Sequence, residues 1–159
     1  MKTCNNLCFI LIMGVFAAPL FSQSSASKLD QLSLMQKMAG TWMANDSSSR
    51  MTLTLHGKGG EADCFMYSKE KEAFYIKQLW LYNATEDNIT IVQLSGNERL
   101  ECWKMKFTSP TTMVGKFYNF ENPSRILQEW TMEFVTPDKL VETMISDPKK
   151  FTMTSFRVK

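Results

Sequence analysis

The sequence predicts an all-β protein, a single up-and-down antiparallel barrel of about ten strands with one short N-terminal helix. Segments rich in β-branched and aromatic residues recur roughly every 10 to 12 residues, and short polar turns such as GKGG and SGNE separate them. Gaps this short leave no room for crossover helices, so neighbouring strands must form antiparallel hairpins. A long meander loses its exposed edges when it closes, which favours a barrel over the alternative, a two-sheet sandwich.

The first residues are predicted to be a secretory signal peptide rather than part of the barrel. One lysine precedes an apolar run, Leu7–Phe21, which is too short to span a bilayer comfortably. Small residues follow, and cleavage after Ser22 or after Ala26 would suit a signal peptidase. We therefore expect a signal peptide over 1–22 and a single barrel domain over 23–159. The protein is then exported, to the periplasm or the extracellular space, and the alternative is a retained anchor.

One helix is predicted over Ser27–Met38, because apolar residues recur there at helical spacing. The apolar stripe consists of Leu29, Leu32, Met35 and Met38. Ser27 followed three residues later by Asp30 resembles a capping box and predicts the start. Gly40 is well placed to end the helix in a left-handed conformation.

Ten strand segments follow the helix in order. They are TWMAN, RMTLTLH, EADCFMYS, AFYIKQLWLYN, ITIVQL, RLECWKMKF, TMVGKFYNF, RILQEWTMEFV, KLVETMI and FTMTSFRV. Each segment is dominated by β-branched and aromatic residues, and a polar turn such as ATEDN, TSPT, ENPS or TPD ends it. No internal repeat or low-complexity tract indicates a second domain.

Two cysteines, Cys64 and Cys102, remain after signal cleavage, and they fall on the third and sixth strands. A pair in an exported protein suggests a disulfide. Three strand steps of about 4.8 Å separate the two positions by roughly 14 Å, however, and a disulfide needs Cα atoms within about 7 Å. Two unpaired thiols are the alternative. No CxxC occurs and His56 is the only histidine, so no metal site is predicted.

Charge and motifs exclude several classes of function. The net charge is +2, with no block of like charges, which gives no basis for binding nucleic acid or an anionic membrane surface. The sequence contains no Gly-x-Ser-x-Gly elbow, P-loop, dinucleotide fingerprint or His-Glu-x-x-His motif. We therefore expect a protein that is not an enzyme and has no cofactor and no stable membrane insertion. Cofactor-free chemistry by carboxylates in the barrel mouth is a further alternative.

The candidate ligand-binding residues come from strand alternation, which places every second side chain inside the barrel. The predicted inward faces are aromatic and rich in methionine, with a few glutamine and glutamate residues among them, and a ten-strand barrel is wide enough to leave a cavity. The predicted ligand-binding residues are Trp80, Trp103, Phe117, Gln128, Trp130 and Glu142. Gln128 and Glu142 lie on adjacent strands and could meet across one hairpin to orient a polar head group. The alternative is that these side chains are ordinary core.

The helix, the Gly40-Thr41-Trp42 sequence at the first strand and the final SFRVK together resemble the calycins. This group comprises the lipocalins, the fatty-acid-binding proteins and the nitrobindin-like barrels. The resemblance implies that the first-strand Trp42 packs across the closed end of the barrel beneath Arg157 of the last strand. A guanidinium over an indole face is a favourable contact that would join the first strand to the last.

Two departures narrow the resemblance. Fatty-acid-binding proteins insert a helical lid between the first two strands, whereas only NDSSS stands there in this chain. Haem-binding nitrobindins need a histidine ligand late in the chain, and His56 lies far too early. The chain thus resembles an exported, lidless, bacterial lipocalin-like domain over 23–159. The expected function is binding of a small hydrophobic molecule; the alternative is a protein or glycan interaction module with a self-filled core.

Overall fold

A computed structural model of the protein describes residues 28–68, 71–95, 100–120, 122, 124–146 and 148–158. The predicted signal peptide over 1–22 lies outside the described residues, as does the predicted boundary of the domain. Within the described part of the chain, no helix is long and apolar enough to cross a membrane.

In the described part of the chain, a short helix precedes the strands. Helix α1 spans Gln31–Met35 and continues as a 3₁₀ turn over Gln36–Met38. The Asp30 carboxylate caps α1 by accepting a hydrogen bond of 3.0 Å from the backbone N–H of Ser33. Ser27 itself lies outside the described residues, but the predicted helix begins too early, because residues 28–30 are not helical and α1 begins after the Asp30 cap.

Ten strands follow α1, in the order that the sequence predicts. They are β1 (Gly40–Ala44), β2 (Ser49–His56), β3 (Gly59–Ser68), β4 (Lys71–Asn83), β5 (Asn88–Ser95), β6 (Leu100–Phe107), β7 (Thr112–Asn119), β8 (Ile126–Thr136), β9 (Lys139–Ser146) and β10 (Lys149–Val158). Each strand pairs antiparallel with the next strand in sequence, and β10 pairs with β1 to close the ring. The predicted up-and-down barrel is confirmed, and the sandwich is excluded.

Side chains alternate between the interior and the outer surface as predicted. On β6, Trp103 and Met105 are buried, whereas Lys104 between them is exposed. Strict alternation along β8 would place Ile126 on the same inward face as Gln128 and Trp130, and at Ile126 this expectation is wrong. A register shift in the β7–β8 pairing places Ile126 opposite Tyr118, and the side chain of Ile126 is exposed.

The helix closes one end of the barrel. The buried side-chain amide of Gln31 donates a hydrogen bond of 2.9 Å to the carbonyl of Phe107 and accepts one of 2.7 Å from its backbone N–H. The indole of Trp42 donates a hydrogen bond of 2.9 Å to the carbonyl of Met38. Both contacts tie the helical segment to the strand ends nearby, so the interior is packed at this end.

Arg157 reaches across the same closed end from the last strand. Its guanidinium carbon lies 4.3 Å from the centre of the Trp42 ring, and the two residues are partners in the β1–β10 register. The predicted contact between Trp42 and Arg157 is confirmed. Gly40 begins β1 with φ of +119°, and a Cβ at Gly40 would lie 2.7 Å from Nη1 of Arg157. Glycine is therefore needed there for both the backbone and the arginine.

The Gln31 contacts lead to a prediction about how the helix is attached. Replacing Gln31 by alanine removes both hydrogen bonds and leaves the backbone groups of Phe107 without a partner in a buried place. We expect the free energy of unfolding to fall by about 2 kcal/mol in a urea titration. Gln36→Ala is the matched control, because Gln36 is exposed and should change stability by no more than about 0.5 kcal/mol. Equal effects of the two substitutions would show that the helix does not depend on the Gln31 contacts.

The two cysteines are unpaired and lie on different faces of the wall. Cys64 on β3 packs against the core from inside, whereas Cys102 on β6 points away from the interior because the neighbouring Trp103 points into it. Burial raises the pKa of both thiols, that of Cys64 to about 12. A disulfide between Cys64 and Cys102 is excluded, because the two side chains lie on opposite faces of the barrel wall and on strands three steps apart.

Candidate functional site

A cavity of about 310 Å³ lies in the half of the barrel away from the helix. Its walls are formed by the beginnings of the even-numbered strands and the ends of the odd-numbered strands. These strand ends lie at the end of the barrel opposite to α1. The apolar part of the wall includes Trp42, Trp103, Phe117, Trp130, Met144 and Phe151. Apolar walls with a few polar groups are typical of small-molecule sites.

Three aromatic rings on β6, β7 and β8 form one continuous surface in this cavity. Trp103 stacks on Phe117 with ring centres 4.2 Å apart and an angle of 26° between the planes. The ring centres of Trp103 and Trp130 are 4.6 Å apart, with the planes tilted by 58°. Trp103 and Phe117 are direct partners in the β6–β7 register, so the hairpin itself brings these rings together.

A chain of hydrogen bonds across β4, β5 and β6 satisfies the inward-facing amides. Gln78 donates to Oε1 of Gln93 at 3.0 Å, and Gln93 donates in turn to the carboxylate of Glu101 at 2.6 Å. The indole of Trp80 donates to Gln78 and the indole of Trp103 donates to Gln93, at 2.9 and 3.1 Å. These polar groups therefore have partners within the protein and set the positions of the two rings.

Glu142 is the most deeply buried acid of the cavity wall, with only 6% of the residue exposed. In register it lies opposite Met132 on β8 and Met153 on β10. The nearby hydroxyl of Ser155 favours the ionised form of the carboxylate and so acts to lower its pKa. Burial acts more strongly in the other direction and raises the pKa of Glu142 to about 7. This carboxyl group therefore exchanges its proton near neutral pH.

Trp130 presents an unsatisfied donor in the same region. Its indole Nε1 is buried and has no hydrogen-bond partner among the residues that the structure describes. A buried N–H without a partner costs about 1 to 3 kcal/mol. Trp130 lines the cavity, so an acceptor on a bound molecule could satisfy this donor.

The predicted ligand-binding residues separate into two groups. Five of them line the cavity: Trp103, Phe117, Gln128, Trp130 and Glu142. Trp80 does not; it is only 2% exposed and packs in the filled part of the barrel. The predicted meeting of Gln128 and Glu142 is wrong, because Glu142 pairs with Met132, which lies further along β8 than Gln128.

The sequence reasoning missed several residues of the cavity wall. Arg50 and Met51 contribute from β2, Phe151 and Ser155 from β10, and Glu101 from the beginning of β6. Alternation along FTMTSF on β10 carried a usable signal, because Phe151, Met153 and Ser155 share one face. Within the described ranges, no group of three or more histidine, cysteine, aspartate or glutamate side chains could hold a metal ion.

A closed ten-strand antiparallel barrel with a short helix at one end fits the calycin-like barrels. The contact between Trp42 and Arg157 agrees with that architecture. No protein-family model matches the chain, and no curated protein matches it either.

Proposed function

We propose that this protein is an exported, lipocalin-like binding protein that holds a small hydrophobic or amphipathic molecule inside the barrel. The observation that carries the proposal is the cavity of about 310 Å³ with three joined aromatic rings in its wall. That volume is at the lower end of the range for ligand sites, which suits a small molecule with no more than three aromatic rings.

The polar groups of the cavity support binding rather than simple packing. A self-filled core would bury only groups that have partners, whereas the Trp130 Nε1 has none among the described residues. Glu142 is buried, and among the described residues only the Ser155 hydroxyl acts against the effect of burial on its carboxylate. Both groups would gain from a ligand that carries polar atoms, and the aromatic rings would hold its apolar body.

The position of the only histidine argues against imidazole-based catalysis. His56 ends β2 at the closed end of the barrel, whereas the cavity lies at the other end. A Ser-His-Asp arrangement in the cavity is therefore not available to the protein. This supports a binding role over an enzymatic one.

Binding can be tested with N-phenyl-1-naphthylamine, an uncharged diarylamine whose fluorescence rises in apolar surroundings. We expect saturable binding with a dissociation constant in the micromolar range, roughly −8 kcal/mol. Trp130→Ala should weaken this binding several-fold, more than it changes folding stability, because the variant removes part of the ring surface. Phe107→Leu is the control; it alters a buried aromatic residue outside the cavity, at the helix end of the barrel, and should leave the affinity unchanged.

Three results would overturn the proposed function. The first is probe binding that is weak and does not saturate, and the second is an equal loss of affinity in the Trp130 and Phe107 variants. The third is unfolding caused by Trp130→Ala, which would make this side chain part of the core. In each case the interaction module becomes the better description.

An interaction module is a second candidate because of the outer surface. Exposed leucines lie on the neighbouring strands β4, β5 and β6, where they form an apolar strip. They are Leu79, Leu81, Leu94 and Leu100. Native mass spectrometry of the protein purified from its source separates the candidates: a bound small molecule favours the cavity, and a persistently empty barrel favours the strip.

A further inference from the structure

We propose that the cavity selects a small organic amine, whose ammonium group pairs with Glu142 while its apolar body lies against Trp103, Phe117 and Trp130. This assignment deepens the proposed function and rests on it, because it concerns the same cavity. The ligand class is an arylalkylamine or an alkylamine of similar size, protonated on nitrogen at neutral pH.

The burial of Glu142 is the first reason to expect a cation. Among the described residues, the Ser155 hydroxyl alone favours the ionised carboxylate, and it does not offset the loss of water around a full negative charge. A cation in contact with the carboxylate would restore that lost stabilisation. An uncharged ligand would instead leave the carboxylate unbalanced or bind only its protonated form.

The aromatic wall is the second reason. An ammonium group is attracted to the faces of indole and phenyl rings, and the attraction grows when water is excluded. Trp103, Phe117 and Trp130 provide three such rings on adjoining strands. The same surface holds the apolar body of the ligand, so one wall serves both parts of an amphipathic amine.

Among the described residues, the other charged and titratable groups of the cavity wall do not offset the negative charge of Glu142. The cavity wall contains Arg50, Cys64 and Glu101 besides Glu142. Burial keeps the Cys64 thiol protonated by raising its pKa to about 12, and the nearby Glu142 adds to that effect. On the strands flanking Glu142, Met132 and Met153 are its uncharged partners in register. Arg50 is exposed on β2 and lies 5.8 Å from the Phe65 ring, so it remains in contact with water.

The unsatisfied donor of Trp130 adds a second requirement. An amine that also carries a hydroxyl, ether or carbonyl oxygen could accept a hydrogen bond from this indole N–H. Such a ligand would pair with the Glu142 carboxylate and also accept a hydrogen bond from the Trp130 indole. A simple arylalkylamine meets only the first requirement and is therefore expected to bind less tightly than its oxygen-bearing analogues.

A matched series of three compounds tests the charge preference by isothermal titration calorimetry. The series consists of 2-phenylethylamine, 2-phenylethanol and 3-phenylpropionate, which are a cation, a neutral molecule and an anion at pH 8. We expect the amine to bind about tenfold more tightly than the alcohol and the anion to bind most weakly. Glu142→Gln should remove the advantage of the amine, whereas Glu129→Gln, on the exposed face of β8, should preserve it.

The pH dependence provides an independent readout. Pairing with a cation favours the ionised form of Glu142, so amine binding near pH 7 should release protons, seen as a buffer-dependent heat. The affinity for the amine should rise about tenfold from pH 6 to pH 8, since the carboxyl ionises over that interval. The affinity for the alcohol should not rise.

The possible results distinguish this proposal from the proposed function. If the uncharged naphthyl probe binds saturably but the amine binds no better than the alcohol at pH 8, the amine proposal is overturned and the binding function stands. The same conclusion follows if Glu142→Gln keeps the amine preference. If the probe and all three compounds fail to bind, the proposed function itself is overturned.

Discussion

Replacing Arg157 by alanine is expected to lower the free energy of unfolding by about 3 kcal/mol in a urea titration. The guanidinium covers the ring of Trp42 at 4.3 Å and donates hydrogen bonds to the backbone carbonyls of Lys37, Ala39 and Pro137. Alanine removes all of these contacts at the point where the last strand meets the first. The loss therefore combines a cation–π contact with several hydrogen bonds.

Two further variants sharpen this experiment. Arg157→Lys keeps the positive charge but loses the planar fork, so it should recover only part of the lost stability. Arg50→Ala is a matched control, because Arg50 also lies over an aromatic ring but is exposed, with an expected change of no more than about 0.5 kcal/mol. Wild-type stability in Arg157→Ala would contradict a role for this residue in closing the barrel.

The fold was predictable because its signals are local and repeated. Strand alternation and short turns determine the antiparallel neighbours, and the Gly40-Thr41-Trp42 sequence with Arg157 indicates where the ring closes. The start of the helix was less predictable, because Ser27 and Asp30 both suit an N-cap by residue type. Only the position of the first helical turn decides between them, and that turn begins after Asp30.

The cavity was harder to predict, because the sequence of one strand does not show how far along the barrel axis each of its inward side chains lies. Trp80, Ile91, Trp103 and Phe117 form one continuous row of cross-strand partners, and all four point inward. Strands tilt relative to the axis of a barrel, so partners in one row lie at different depths. Trp80 is therefore packed in the core while Trp103 lines the cavity, and alternation alone could not separate them.

The hydrogen bonds of the inward glutamines were also beyond the reach of sequence reasoning. Gln78 and Gln93 are polar side chains on an inward face, and each could have met a ligand. In the structure each finds the other, because the two residues are direct partners in the β4–β5 register. Glu142 differs, since its cross-strand partners are both methionines. The identity of the neighbour in register decides whether an inward polar group is available to a ligand.

Replacing Glu142 by glutamine is expected to raise the free energy of unfolding at pH 8 by about 3 kcal/mol, and at pH 5 by less than about 1 kcal/mol. Burial raises the pKa of this carboxyl from 4.5 to about 7 in the folded protein, whereas the unfolded chain keeps the lower value. As the pH rises above 4.5, the unfolded state loses its proton first, so the wild-type protein becomes progressively less stable until the pH passes about 7. One pKa unit corresponds to about 1.4 kcal/mol, which gives the expected size.

Glutamine cannot ionise, so the variant avoids this penalty while keeping nearly the same shape. Urea titrations of both proteins at pH 5, 6, 7 and 8 measure the difference, which should open between pH 5 and pH 7 and then level off. Glu129→Gln is the control, because Glu129 is exposed and its substitution should give a small difference that does not vary with pH in this way. A Glu142→Gln protein that is less stable than the wild type at pH 8 would show that the ionised carboxylate already has a favourable partner in the barrel. A saturating concentration of 2-phenylethylamine should narrow the gap at pH 8, because the bound cation stabilises the wild-type carboxylate and has no such partner in the variant.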